Sequence, residues 1–114
     1  MIALTRLALA MALAGMAGAA TAQSFTVPQA LWDRPRTGQA VLEQPAVHGA
    51  VKAHLEREGS RLIVHHGPTQ ESLLLAEELR AWLVALALEP SRVVLQNDLS
   101  MGEPLRIEVR ENRN

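Results

Sequence analysis

The chain alternates apolar stretches with short polar breaks, and the spacing within each stretch separates helix from strand. The longest pattern is ESLLLAEELRAWLVALAL, residues 71–88. Leu75, Leu79, Trp82 and Leu86 recur at i, i+4, i+7 and i+11, one stripe of a helix that Leu83 widens. Leu73, Leu74 and Val84 lie off that stripe, so much of the circumference is apolar and a second surface is expected to be covered. VLEQPAVHGAVKAHLERE predicts an earlier helix over 41–58, with Pro45 in its first turn and Val47, Val51 and Leu55 as its stripe. Gly49 weakens that helix by about 1 kcal/mol relative to Ala, and Gly59 follows as a C-terminal cap.

Strands occupy the gaps. RLIVHH (61–66) and RVVLQ (92–96) are continuously apolar at their centres, as in strands covered on both faces. LRIEV (105–109) alternates, with Leu105, Ile107 and Val109 inward and Arg106 and Glu108 outward. Near the start, Phe25 and Val27 alternate with polar residues until Pro28 stops an edge segment. The order is β-α-β-α-β-β. The strand–helix–strand unit from 61 to 96 implies a parallel pair, and the last two strands are expected to pair antiparallel across the loop Asn97–Pro104. The predicted fold class is α/β: a two-layer sandwich, a small mixed sheet with two helices on one face. One domain over 23–110 is expected, with a polar tail at 111–114.

Residues 1–22 belong to a different class. MIALTRLALAMALAGMAGAATA has one positive residue, Arg6, then an apolar Ala- and Leu-rich run, then Ala20-Thr21-Ala22. That is the n-region, h-region and A-x-A cleavage site of a signal peptide, with cleavage expected near Ala22. Its export route implies a periplasmic or secreted domain of a bacterium. No later stretch is long and apolar enough to span a bilayer.

Composition narrows the partners. The chain has 11 basic and 12 acidic residues, a net charge of −1, and losing Arg6 with the leader takes it to −2. No basic patch is visible, which argues against nucleic acid. There is no cysteine, so the domain rests on its core without a disulfide. No cofactor motif, nucleophile elbow, phosphate loop or acid–base pair stands out, and no enzyme is expected. His48 and His54 are six apart, off the spacing of helical metal ligands, and no metal set is implied.

AEELRAWLVALALEPSRV (76–93) resembles the long helix and following strand of the OmpA-like C-terminal domain, a peptidoglycan-binding module of Gram-negative envelopes. Ser72, Ala76, Leu79, the aromatic-Leu pair Trp82-Leu83 and the strand start Ser91-Arg92-Val93 follow that family's order. LRIEV is similar to its last strand, and RLIVHHG stands where the family has a strand ending in Gly-His-Thr-Asp. The likeness covers roughly 40–110, with a shorter loop after His66 and no small helix before the last strand. The resemblance implies an OmpA-like α/β fold and a place in the cell envelope. It does not supply the family's clamp for diaminopimelate, an Asp after the second strand and an Arg in the long helix. Leu75 stands at the Arg position, and Gly67, Pro68, Thr69 and Gln70 follow the histidines.

Candidate chemistry gathers at the end of the 61–66 strand. His65 and His66 point to opposite faces, so they do not readily share a metal. Ligands favour the carboxyl ends of strands in α/β sheets, and Thr69, Gln70 and Glu71 open the next helix there. With Arg80 as a replacement guanidinium, His65, His66, Thr69, Gln70, Glu71 and Arg80 form the candidate ligand set. Trp32, Arg34 and Arg36, in LWDRPRTG, form a candidate partner surface. The expected function is an exported binding or scaffold module contacting another envelope protein. The alternatives are peptidoglycan binding through a rearranged site, and a small-ligand or metal site at His65 and His66.

Overall fold

A computed structural model describes residues 22–86 and 88–111. The proposed signal peptide therefore lies outside the described residues but for Ala22. The elements are β1 (Ala22–Thr26), α1 (Gly38–Glu43), α2 (Pro45–Leu55), β2 (Arg61–His66), α3 (Gln70–Ala85), β3 (Val93–Asn97) and β4 (Arg106–Arg110). Short 3-10 turns occupy Gln29–Leu31 and Pro90–Arg92. The strands form one mixed sheet in the order β1-β4-β2-β3. This is the small mixed α/β architecture expected from the hydrophobic pattern.

Strand pairing departs from expectation at one point. β2 and β3 are parallel, with Leu62 opposite Val93 and Val64 opposite Leu95. β4, however, does not pair with β3. It enters between β1 and β2, antiparallel to both, with Val64 opposite Ile107 on one side and Phe25 opposite Ile107 on the other. The reason is burial. Ile107 is fully buried and Val109 nearly so, a pattern that an edge position would leave half-solvated. The loop from β3 to β4 must then arch over the carboxyl end of β2.

The predicted helix over 41–58 is two helices. Thr37 caps α1 by accepting from the Ala40 N–H at 3.0 Å. Gln44 has extended backbone angles and separates the two, its side chain accepting from the Ala46 N–H at 2.6 Å. Pro45 imposes this break, because it disfavours helical angles in the residue before it and suits the first helical position. α2 ends at Leu55, which is 71% exposed and thus off the core. Val47, Ala50, Val51 and Ala53 are buried in its place. Gly59 lies beyond the helix cap, with φ +77° in the turn that feeds β2.

In α3 the fully buried positions are Ala76, Leu79 and Leu83. Leu75 and Trp82 pack beside them. The stripe is thus rotated by about one residue from the Leu75–Leu86 line, and Leu73 and Leu74 stay exposed. These residues join Leu62, Val64, Val93, Leu105, Ile107 and Val109 in one core. By alternation, Ile63, His65, Arg106 and Glu108 occupy the other sheet face.

Candidate functional site

Two structures meet at the carboxyl end of β2, one on each sheet face. On the face away from the helices, the His65 ring lies between two carboxylates and is 2% exposed. Its Nδ1 is 2.7 Å and 2.9 Å from the two Asp98 oxygens, and its Nε2 is 2.8 Å from Glu108 Oε1. Ionised carboxylates only accept, so both contacts are hydrogen bonds only when both ring nitrogens carry protons. Arg110 completes the chain, donating from Nε (2.9 Å) and Nη2 (3.1 Å) to Glu108. Gln96 donates to Asp98 at 2.8 Å.

The carboxylates respond to this setting. The bond from His65 holds the Asp98 carboxyl below its usual range, with Gln96 and Arg106 adding to the effect. Burial pushes the Glu108 carboxyl up, but the bonds from Arg110 and His65 together outweigh it and leave it lowered. Glu108 was expected to face water. It is on the outward face yet only 8% exposed, because His65 and Arg110 enclose it.

On the helix side, His66 is buried and its Nδ1 donates to the Gly67 carbonyl at 2.9 Å. The two histidines do point to opposite faces, and His66 is a strand-end residue bonded to its own backbone. Gly67 donates to Ser72 Oγ at 2.8 Å, and Thr69 Oγ1 accepts from the Ser72 N–H at 3.1 Å, capping α3. A β-carbon on Gly67 would stand 3.2 Å from the Ser100 carbonyl, so the β3–β4 loop crosses close over this turn.

A cleft of about 540 Å³ opens beside that cap. The start of α3 supplies Thr69, Glu71, Ser72 and Leu75. The β3–β4 loop supplies Gly102, Glu103, Pro104 and Leu105, and the first connection supplies Pro28, Gln29 and Trp32. Its charged lining residues are both acidic, Glu71 and Glu103. Thr69, Glu71 and Trp32 thus meet in one place, although the sequence separates them into a ligand set and a partner surface.

The remaining candidates lie elsewhere. Gln70 is exposed at the first turn of α3 and does not line the cleft. Arg80 donates from Nε to the Val93 carbonyl at 2.9 Å and from Nη2 to the Pro90 carbonyl at 3.0 Å. Val93 is paired with Leu62, at the opposite end of β2 from His66, so Arg80 cannot share a clamp with Glu71. It pins α3 to the start of β3 instead. Arg36 pairs with Glu78 and sits 5.3 Å from the centre of the Trp32 ring, while Trp82 Nε1 donates to Glu78 at 3.1 Å. Its hydrogen bond to Glu78 raises the Arg36 pKa further. This cluster locks the 32–37 loop on α3. Arg34 is exposed and borders a separate hollow of about 280 Å³ with Glu43 and Gln44.

Sequence reasoning missed Asp98 and Glu108 as partners of His65. The polar character of the three residues was visible, but their convergence depends on β4 lying beside β2. Among the described residues, no group of three or more His, Asp or Glu side chains is arranged to hold a metal ion. No helix among them is long and apolar enough to cross a membrane. No family model, no curated protein and no solved structure matches the chain.

Proposed function

We infer that this chain is an exported, non-catalytic binding module of the bacterial cell envelope, whose cleft docks an extended segment of another envelope protein. The observation that carries the reading is the cleft at the carboxyl end of β2. It joins an aromatic ring, Trp32, and apolar walls, Leu75, Pro104 and Leu105, to a few polar groups, the usual make-up of a recognition site. Glu71 and Glu103 favour a segment that is neutral or basic there, and disfavour an acidic one. The leader-like first 22 residues and the likeness to OmpA-like domains support an envelope location.

Peptidoglycan binding through a rearranged clamp needs Arg80, or Arg34 and Arg36, to offer a guanidinium in the cleft of Glu71. The carbonyl bonds of Arg80 hold it at the other end of the strand, Arg36 is paired with Glu78, and Arg34 borders the separate hollow. A ligand at His65 would have to displace two carboxylates from its ring.

The test is a photo-crosslinking amino acid placed at Gln29, on the cleft wall, and at exposed Lys52 on α2. Gln29 is expected to give one discrete protein adduct in intact envelopes, reduced by the double variant Glu71→Lys, Glu103→Lys. An adduct equally strong from Lys52, or none from Gln29, would refute the reading.

A further inference from the structure

We propose that the Asp98–His65–Glu108 chain is a proton-controlled latch on the β3–β4 loop, and hence on one wall of the cleft. The regulation rests on the binding reading above, but the latch itself does not.

The argument starts from topology. Because β4 lies on the far side of β2 from β3, residues 98–105 cross the end of β2. The loop is fastened where it begins. Asp98 and Leu99 donate their N–H groups to the His66 carbonyl at 3.1 Å and 3.0 Å, and the Asp98 carboxylate accepts from the His65 Nδ1–H. It then turns through Gly102 (φ +87°), with the Glu103 carboxylate accepting from the Ser100 N–H at 2.9 Å. Its far half, from Gly102 to Leu105, is cleft wall. One side chain, beside two backbone bonds, therefore ties the start of the segment whose end shapes the cleft.

The ring is held by acceptors on both sides, so the arrangement requires two ring protons. When the imidazole gives one up, one carboxylate loses its donor and meets a lone pair. Glu108 is the more strongly held of the two. Its side chain is 11% exposed and keeps both bonds from Arg110. The Asp98 side chain is 36% exposed and can turn to water. The remaining ring proton therefore stays with Glu108, and Asp98 is released. The other groups facing the ring are Arg106, its cross-strand neighbour on β4, and Gln96 on β3. A guanidinium keeps its charge and an amide has none, so the imidazole is the group on that side whose protons can change. Strong acid opens the same latch differently, by protonating Asp98. An exported protein experiences the pH of its surroundings, which makes such a latch usable.

Amide hydrogen exchange tests this on protein purified from cells expressing the whole chain. Exchange is followed from about pH 5 to about pH 9 and corrected for intrinsic rates. The amides of Asp98 and Leu99 are expected to lose protection several-fold as His65 loses its proton, with α3 amides unchanged. In Asp98→Asn the step should vanish and the loop should exchange fast throughout. His65→Gln should behave likewise, and if it fails to fold, the exposed Asp98→Asn change still decides the matter. Protection of 98–99 that ignores pH, or a step that survives in Asp98→Asn, would overturn the latch. Because this reading needs no ligand, it can fail or succeed independently of the crosslinking result.

Discussion

Gly49 shows how a single position can oppose its own local propensity. In isolation it weakens α2 relative to Ala. A β-carbon there would stand 2.7 Å from Phe25 Cε1, so the glycine is what lets β1 dock its ring on the helix. Gly49→Ala should therefore lower stability by about 1 kcal/mol in urea denaturation, with overpacking outweighing the better helix propensity. A second residue-scale test uses Glu78, which accepts from both Arg36 and Trp82. The chain's two tryptophans both belong to this cluster, so intrinsic fluorescence reports it without labels. Glu78→Ala should shift the emission to longer wavelength as the 32–37 loop loosens, with the far-UV dichroism kept. The types of these residues were legible in the chain. Their partners were not, because Arg36 and Glu78 lie 42 positions apart and meet only when α3 packs under the first connection.

At the scale of elements, α3 carries the core from one side. Leu83→Ala should cost about 2–5 kcal/mol, since Leu83 is fully buried and its neighbours can only partly close the cavity. Leu74→Ala should stay within about 0.5 kcal/mol, since Leu74 is 54% exposed. Chemical denaturation of the two variants side by side checks that α3 turns Leu83 to the core and Leu74 to solvent. The Leu75–Leu86 stripe read from periodicity and the buried one differ by a single residue of rotation, within the error of a four-point pattern on a helix apolar nearly all round. The break at Gln44-Pro45 was legible in principle, since Pro restrains its predecessor, but the same Pro also suits a first helical turn. In the folded chain it does the second for α2 and the first to α1.

For the whole molecule, the shifted groups that titrate below neutral pH all point the same way. Burial, aided by the charge of Arg92, lowers the pKa of His54. The bond from Arg36 lowers that of Glu78, and Asp98 and Glu108 are lowered as described. A depressed folded pKa means that the unfolded chain takes up the proton first. The stability these groups contribute is full above their unfolded values and is lost as pH falls through the folded ones. Tm should therefore decline gently once pH drops below 6.5, the ordinary value for His54, and more steeply below 4.5, that of Glu78 and Glu108. A calorimetric series across that range checks the slope, and a Tm that rises on acidification would contradict it. Sedimentation with peptidoglycan sacculi should leave the protein in the supernatant, because Arg80 is committed to the carbonyls of Pro90 and Val93.

Sequence alone determined what local physics controls: the helical and extended segments, the parallel β2–β3 pair that a helical crossover demands, and the strand-end position of the histidines. It also placed Thr69 at the opening of a helix, where its hydroxyl has a backbone donor within reach. Tertiary structure alone decided which strand lies beside which. Inserting β4 between β1 and β2 buries Ile107 and Val109, brings Glu108 against His65, and sends Asp98 over the end of β2. Those contacts span 33 and 43 positions of chain. Hydrophobic periodicity fixes the face each side chain takes within its own element, but only the packing of all elements on one core selects its neighbours in space.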